Sequence, residues 1–169
     1  MTLAEARNNK PSLLRTTLGL FIHEERLLLA VKGRKIGKGI LSGCGGKIEP
    51  GETSAESLIS ESQQEFGLTP LDFQMVAVLE IYNPDRPGWD ISCDVYRITR
   101  WSGTLQMKED EAYDPEWWPL DQLPENRMWP SDRPWVLRAL RGERLRVAFV
   151  QDLSYSVLDM EITPVTRFT

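Results

Sequence analysis

A single α+β domain spanning 1–169 is predicted by three observations. Short apolar, strand-like runs recur through both halves of the chain, whereas only 53–66 and 132–140 carry helix signals. No internal repeat or low-complexity linker divides the sequence. A chain of 169 residues is also long enough for one well-cored domain and short for two, at about 150 residues each. With 41% hydrophobic and 27% charged residues, the composition is that of a folded protein and excludes disorder as a description of the whole.

The elements follow in order. Leu13–Ile22 and Arg26–Val31 read as two strands joined by the polar turn His23-Glu24-Glu25. Next comes 32–47, with glycines at 33, 37, 39, 43, 45 and 46, a density that marks sharp bends or close backbone approach. Thr53 or Ser54 can cap a helix, with Glu56 completing a capping box. That helix runs to about Phe66 and stops at Gly67. Its apolar stripe is Ala55, Leu58, Ile59 and Phe66, with Ser62 inside it. Strands are expected at about Phe73–Tyr82 and Ile91–Thr99, and a short helical turn at Pro119–Pro124. Asp132 and Pro134 open a second helix to about Leu140, ended by Gly142. Leu145–Val150 and Tyr155–Ile162 read as a closing hairpin, and the acidic run 109–116 as a solvated loop.

Charge is divided along the chain. The total is −5, yet residues 1–48 hold nine bases against three acids, a surplus of +6 that leaves −11 downstream. Five of those bases (Lys32, Arg34, Lys35, Lys38, Lys47) fall within the glycine-rich loop. The acidic total argues against binding long nucleic acids or anionic membrane surfaces. Two cysteines form no disulfide framework, and the single histidine excludes a multi-histidine metal site. No apolar stretch is long enough to span a bilayer, and Asn8, Asn9 and Lys10 interrupt any signal-like start. A cytoplasmic protein is expected.

The chemistry concentrates in Gly45-Gly46-Lys47-Ile48-Glu49-Pro50-Gly51-Glu52, followed by Glu61, Glu65 and Gly67-Leu68. Glu61 and Glu65, four apart on a helix, project side by side. Taken alone, such a pair is more often a solvated helix face than a metal site. Beside a glycine loop it offers hard oxygen ligands that suit Mg²⁺ or Mn²⁺. The basic loop upstream could hold phosphates, although taken alone its charges are more readily a solvated loop. Beside a metal-binding carboxylate pair, the chemistry suggested is metal-assisted attack of water on phosphorus.

This stretch resembles the Nudix box, which reads Gly, five residues, Glu, seven residues, Arg-Glu-apolar-x-Glu-Glu-x-Gly-apolar. Gly46, Glu52, Glu61, Glu65, Gly67 and Leu68 fall in register, whereas Ser60, Ser62 and Gln64 replace the Arg, the apolar residue and the first Glu of the pair. Further segments resemble one branch, the oxidised-purine nucleoside triphosphatases (8-oxo-dGTP and 2-hydroxy-dATP diphosphatases). They are Leu27-Leu28-Leu29-Ala30-Val31-Lys32, Leu120-Asp121-Gln122-Leu123-Pro124 and Met128-Trp129-Pro130-Ser131-Asp132. The resemblance implies a mixed sheet between helices, an α/β/α sandwich. It also implies Mg²⁺-dependent release of nucleoside monophosphate and pyrophosphate, as in sanitising a nucleotide pool.

It assigns roles residue by residue. Glu61 and Glu65 would bind the metal and orient or deprotonate the attacking water. The Gly45 carbonyl would be a backbone metal ligand, Gln64 a weakened one, and Lys32 a phosphate contact. Trp129 would stack on the purine while Asp132 reads its polar edge, with Thr17 and Ile36 lining the pocket. Ser42 and Ser131 stand where that branch has Asn and a second Asp, so both bear on base recognition. Glu111 could stand in for an auxiliary family Glu expected near Ala112. The implied partner is a small nucleotide, with no nucleic-acid polymer, no membrane and no oligomeric state specified. Two alternatives share the scaffold: a nucleotide-binding protein with weakened catalysis, and a hydrolase of another nucleoside diphosphate-linked compound.

Overall fold

Apolar runs and one short glycine segment form nine strands, which the computed structural model, describing residues 1–169, joins into one mixed sheet. The strands are β1 (Leu14–His23), β2 (Arg26–Lys32), β3 (Leu41–Ser42), β4 (Cys44–Lys47) and β5 (Leu68–Tyr82). They continue as β6 (Ile91–Gly103), β7 (Ala112–Pro119), β8 (Leu145–Gln151) and β9 (Val157–Pro164). The helices are α1 (Leu3–Asn8), α2 (Ser54–Phe66) and α3 (Val136–Leu140). The main path runs β3-β2-β1-β6-β5-β8-β9, with β4 on β1 and β7 on β2. β1 is shared between two parts of the sheet. Its end pairs with β2 at Ile22↔Leu27, while Thr16–Gly19 lie between antiparallel β4 and parallel β6.

The strand period of two decides which core each side chain enters. Leu27, Leu29 and Val31 of β2 join a 19-residue core with Trp135, Val136 and Ala139. Leu28 and Ala30 of the same strand join a 10-residue core with Leu58 and Phe66 of α2. Both faces are therefore covered, giving the helix–sheet–helix sandwich. Leu27 and Leu28 are 0% exposed, each burial contributing about 1.5–3 kcal/mol.

α2 forms as its sequence dictates. Thr53 and Glu56 make a reciprocal capping box, and Gly67 ends the helix at φ 71°, a left-handed conformation that glycine adopts without Cβ strain. Leu120–Gln122 is a 3₁₀ turn, as predicted for that stretch.

Three sequence expectations are corrected. The last strand starts at Val157 and not at Tyr155, which lies in the connection before it. The run 109–116 is not wholly loop, because Ala112–Pro119 pairs with β2. It is an edge strand, so Pro115 is tolerated and Asp114 and Glu116 remain in water. The second helix starts at Val136, since Pro130–Asp132 forms a separate 3₁₀ turn. A short N-terminal helix, unanticipated, buries Leu3 and Ala6 against Ala148 and Val150. No helix is long and apolar enough to cross a membrane.

Candidate active site

α2 lies against a strand almost bare of side chains. A Cβ on Gly46 would sit 2.6 Å from the Glu61 carboxyl carbon, and one on Gly45 would sit 2.0 Å from the Thr17 carbonyl oxygen. Glycine is required here for close approach. Glu65 follows one turn after Glu61 and accepts a hydrogen bond from the Gly45 N–H at 3.3 Å.

The two carboxylates are held uncomfortably. Burial, then the charge of Glu61, pushes the Glu65 carboxyl up to about 7, against the pull of the Gly45 N–H and Lys32. Burial also raises Glu61, with Glu111 adding to it. Lys32, at the end of β2, is lowered chiefly by burial although Glu65 and Glu111 favour its charge. Glu111 thus belongs to the cluster, reached from the loop before β7. Such a concentration of negative charge calls for a cation.

The three departures from the box have local explanations. Ser60 donates to the Glu52 carboxylate at 3.3 Å, and Glu52 also accepts from the Glu49 N–H at 2.9 Å. Glu52 therefore ties the loop to the helix. The guanidinium missing at 60 has a counterpart in Arg34, which pairs with Glu111 and lies within electrostatic reach of Glu65. Ser62 is buried and meets the Cys44 thiol at 3.3 Å, so a small polar pair fills the apolar position. Gln64 is exposed, outside the buried part of the cluster.

The basic loop leads from this cluster to a second region. Hydrogen bonds from Lys32 N to Ile40 O (2.9 Å) and from Gly39 N to Lys32 O (2.8 Å) close its base. At its tip Gly37 packs on Trp129 so closely that a Cβ would lie 2.3 Å from the indole. Ile36 is the adjacent residue. Trp129 is half-buried, followed by a 3₁₀ turn in which Ser131 and Asp132 are buried. Burial alone pushes the Asp132 carboxyl up to about 7.

Not every predicted site residue joins these two groups. Thr17 is buried with its hydroxyl 3.4 Å from that of Ser57, turned toward α2. Asp132 instead lies within electrostatic reach of Cys93, in the core that includes Trp135. The structure therefore does not bring Thr17 to Trp129 and Asp132. Ser42 is buried on β3 opposite Ala30, whose side chain enters the core shared with α2. Cys44 is a buried thiol pushed up to about 12, chiefly by desolvation, which makes it inert. Sequence reasoning missed Tyr155, whose ring meets Trp129 edge-on at 4.8 Å. Nothing in the local pattern marks it, because the contact is made across the fold.

The ligand set fits a hard divalent cation. No cluster of three His, Cys, Asp or Glu side chains is in ligating geometry; the carboxylates at the glycine strand are the adjacent pair Glu61 and Glu65, with the Gly45 backbone against Glu65. Mg²⁺ ordinarily takes one or two carboxylates and completes its shell with water and substrate phosphate.

A sheet between helices presents paired carboxylates to a glycine strand beside a basic loop, a layout suited to a cation and phosphates. The chain belongs to the Nudix family, whose NUDIX domain profile matches residues 13–139. It is 30% identical over 150 residues to the oxidized purine nucleoside triphosphate hydrolase of Mus musculus, covering 86% of this chain and 94% of that one. It is 34% identical over 97 residues to the 8-oxo-dGTP diphosphatase of Escherichia coli K12, covering 57% and 71%. The fold matches that of the MutT protein from Bacillus halodurans with a TM-score of 0.73 at 21% identity, over 89% and 97% of the two chains. It also matches the NUDIX domain of Shewanella oneidensis NrtR complexed with ADP ribose, with a TM-score of 0.60 at 17% identity over 83% and 97%.

Proposed function

We propose that this Nudix hydrolase cleaves a modified, oxidised purine nucleoside triphosphate to the monophosphate and pyrophosphate, and so cleans the nucleotide pool. Asp132 is the observation that carries the reading. It is a buried carboxyl beside Trp129 whose ionisation is opposed by burial alone. A carboxyl held near its neutral form can donate to, or accept from, a purine edge, and oxidation of a purine changes that edge from acceptor to donor. The name of the mouse relative supports the same substrate class.

In this reading Trp129 stacks on the base and Ile36 borders it. Ser131 takes the position of a recognition residue next to Asp132, whereas Ser42, like Thr17, faces the α2 side and is assigned no contact with the base. Thr17 is assigned to the helix side of β1, where it supports the floor under Gly46. Lys32 contacts the phosphates. Glu61, Glu65 and the Gly45 carbonyl hold the metal, and either glutamate orients the attacking water or takes its proton. The Gly45 N–H bond to Glu65 sets this backbone beside that carboxylate, which supports the role given to its carbonyl. Gln64 contributes at most an outer contact. A bound Mg²⁺, with Mn²⁺ as a substitute, supplies charge neutralisation at the phosphates and a more acidic water.

The test is pyrophosphate release from 8-oxo-dGTP, 2-hydroxy-dATP, dGTP and dATP with Mg²⁺ or Mn²⁺. The expected result is turnover that favours an oxidised purine. Equal rates on oxidised and normal purines, or no pyrophosphate from any of them, would contradict the proposal.

A further inference from the structure

Three connections lie at one end of the sheet: the basic loop after β2, the β5–β6 loop and the β8–β9 turn. The last carries Tyr155 in an unusual conformation. Its φ of 65° places a bulky residue in the left-handed region, which persists only when the surroundings hold it. The hold is visible. The Asp152 carboxylate accepts from Ser154 N (2.8 Å) and Ser156 N (3.0 Å), while Asp152 O accepts from Tyr155 N at 3.0 Å. Arg86, from the β5–β6 loop, donates to Asp152 O (3.4 Å) and Leu153 O (2.7 Å) and sets its guanidinium 4.6 Å from the Tyr155 ring centroid.

Thus fixed, Tyr155 touches two parts of the base wall. Its hydroxyl accepts from the Gly37 N–H at 3.1 Å, and its ring meets Trp129 at 4.8 Å and 89°. The same ring lines an open groove of about 550 Å³ with Lys35, Ile36 and Arg86. Its position is therefore set by these contacts and not by burial in a core.

We propose that Tyr155 is a positioning residue for base recognition, holding Trp129 and Gly37 in one geometry and taking no part in the phosphate chemistry. The proposal rests on the reading of Trp129 as the stacking wall. Tyr155 acts through Trp129, so removing both should cost little more than removing Trp129 alone. Arg86 supports it from the other loop.

The experiment is steady-state hydrolysis of 8-oxo-dGTP with Mg²⁺ by wild type, Trp129→Ala, Tyr155→Ala, the double variant, Tyr155→Phe and Arg86→Met. Trp129→Ala should raise KM roughly tenfold and Tyr155→Ala about fivefold, with kcat within about twofold. The double variant should match Trp129→Ala. Tyr155→Phe keeps the ring against Trp129 but leaves the Gly37 N–H unpaired, so it should raise KM less than Tyr155→Ala, about two- to threefold. A Tyr155→Ala KM equal to wild type while Trp129→Ala raises it, a loss confined to kcat, or additive effects in the double variant would overturn the proposal. An unchanged KM in Trp129→Ala would instead remove the stacking reading and this inference with it. Should Tyr155→Ala not fold, Arg86→Met decides, since it must raise KM about two- to threefold; an unchanged KM there overturns the proposal.

Discussion

The carboxylate end and the aromatic end of this site are built by different means. Glu61 and Glu65 stand on a helix whose start, stop and face are fixed by nearby residues: the Thr53–Glu56 box, Gly67 and the i,i+4 spacing. Their environment is then closed by one glycine strand, β4. Trp129 and Asp132 sit in irregular backbone, and their surroundings come from loops far apart in sequence, Gly37 and Tyr155 among them. The first end crowds like charges and so demands a cation. The second isolates one carboxyl from other charges. On the proposed function, rate belongs to the end specified locally, and base choice to the end specified by tertiary packing.

Removing the carboxylate should have the largest effect. Glu65→Gln should lower kcat by about 10²–10⁴-fold at nearly constant KM, read by pyrophosphate release. Gly46→Ala should follow. Its Cβ has no room beside the Glu61 carboxylate, which lies 2.6 Å away, and displacement of a reacting group by about 1 Å costs on the order of 10²-fold in kcat.

Asp132→Asn sharpens the contrast from the other side. It should reduce the preference for an oxidised purine by about tenfold or more through KM, with kcat on normal purines little changed. It also predicts a pH signature in stability. The folded Asp132 keeps its proton up to about 7, above the ordinary 3.8 expected when unfolded. The folded state therefore binds more protons across that window, and this residue's contribution falls as pH rises from about 4 to about 7. Asp132→Asn should flatten that part of a urea-denaturation profile. Above pH 7 it should be the more stable protein, by up to roughly 4 kcal/mol.

The smallest effect is expected at Gln64, which is exposed. Gln64→Glu should lower the Mg²⁺ concentration for half-maximal rate only about two- to fivefold at low salt. A hundredfold gain in kcat would instead mean that the box substitution, and not the positioning of Glu65, limits the rate.

What could be read in the sequence divides along the same line. α2, its caps and its glutamate pair follow from spacing, and so do the β1–β2 and β8–β9 pairings. The edge strand β7 was hidden because acids and Pro115 mask the alternation that buries Ala112. α1 has a capping box at Thr2–Glu5, yet its six residues are too few for a clear helical period. Arg34 opposite Glu111, and Tyr155 on Trp129, join residues 77 positions apart in one case and brought together across the sheet end in the other. No local pattern encodes such contacts. The placement of Thr17 shows the same limit, since a strand's period sorts its faces without saying which face meets the base.

The most direct test is the ratio of kcat/KM for 8-oxo-dGTP over dGTP, measured with Mg²⁺ for wild type, Glu65→Gln and Asp132→Asn. The division of labour predicts that Glu65→Gln slows both substrates alike and leaves the ratio unchanged, while Asp132→Asn collapses the ratio. A ratio that shifts with Glu65→Gln and survives Asp132→Asn would contradict it.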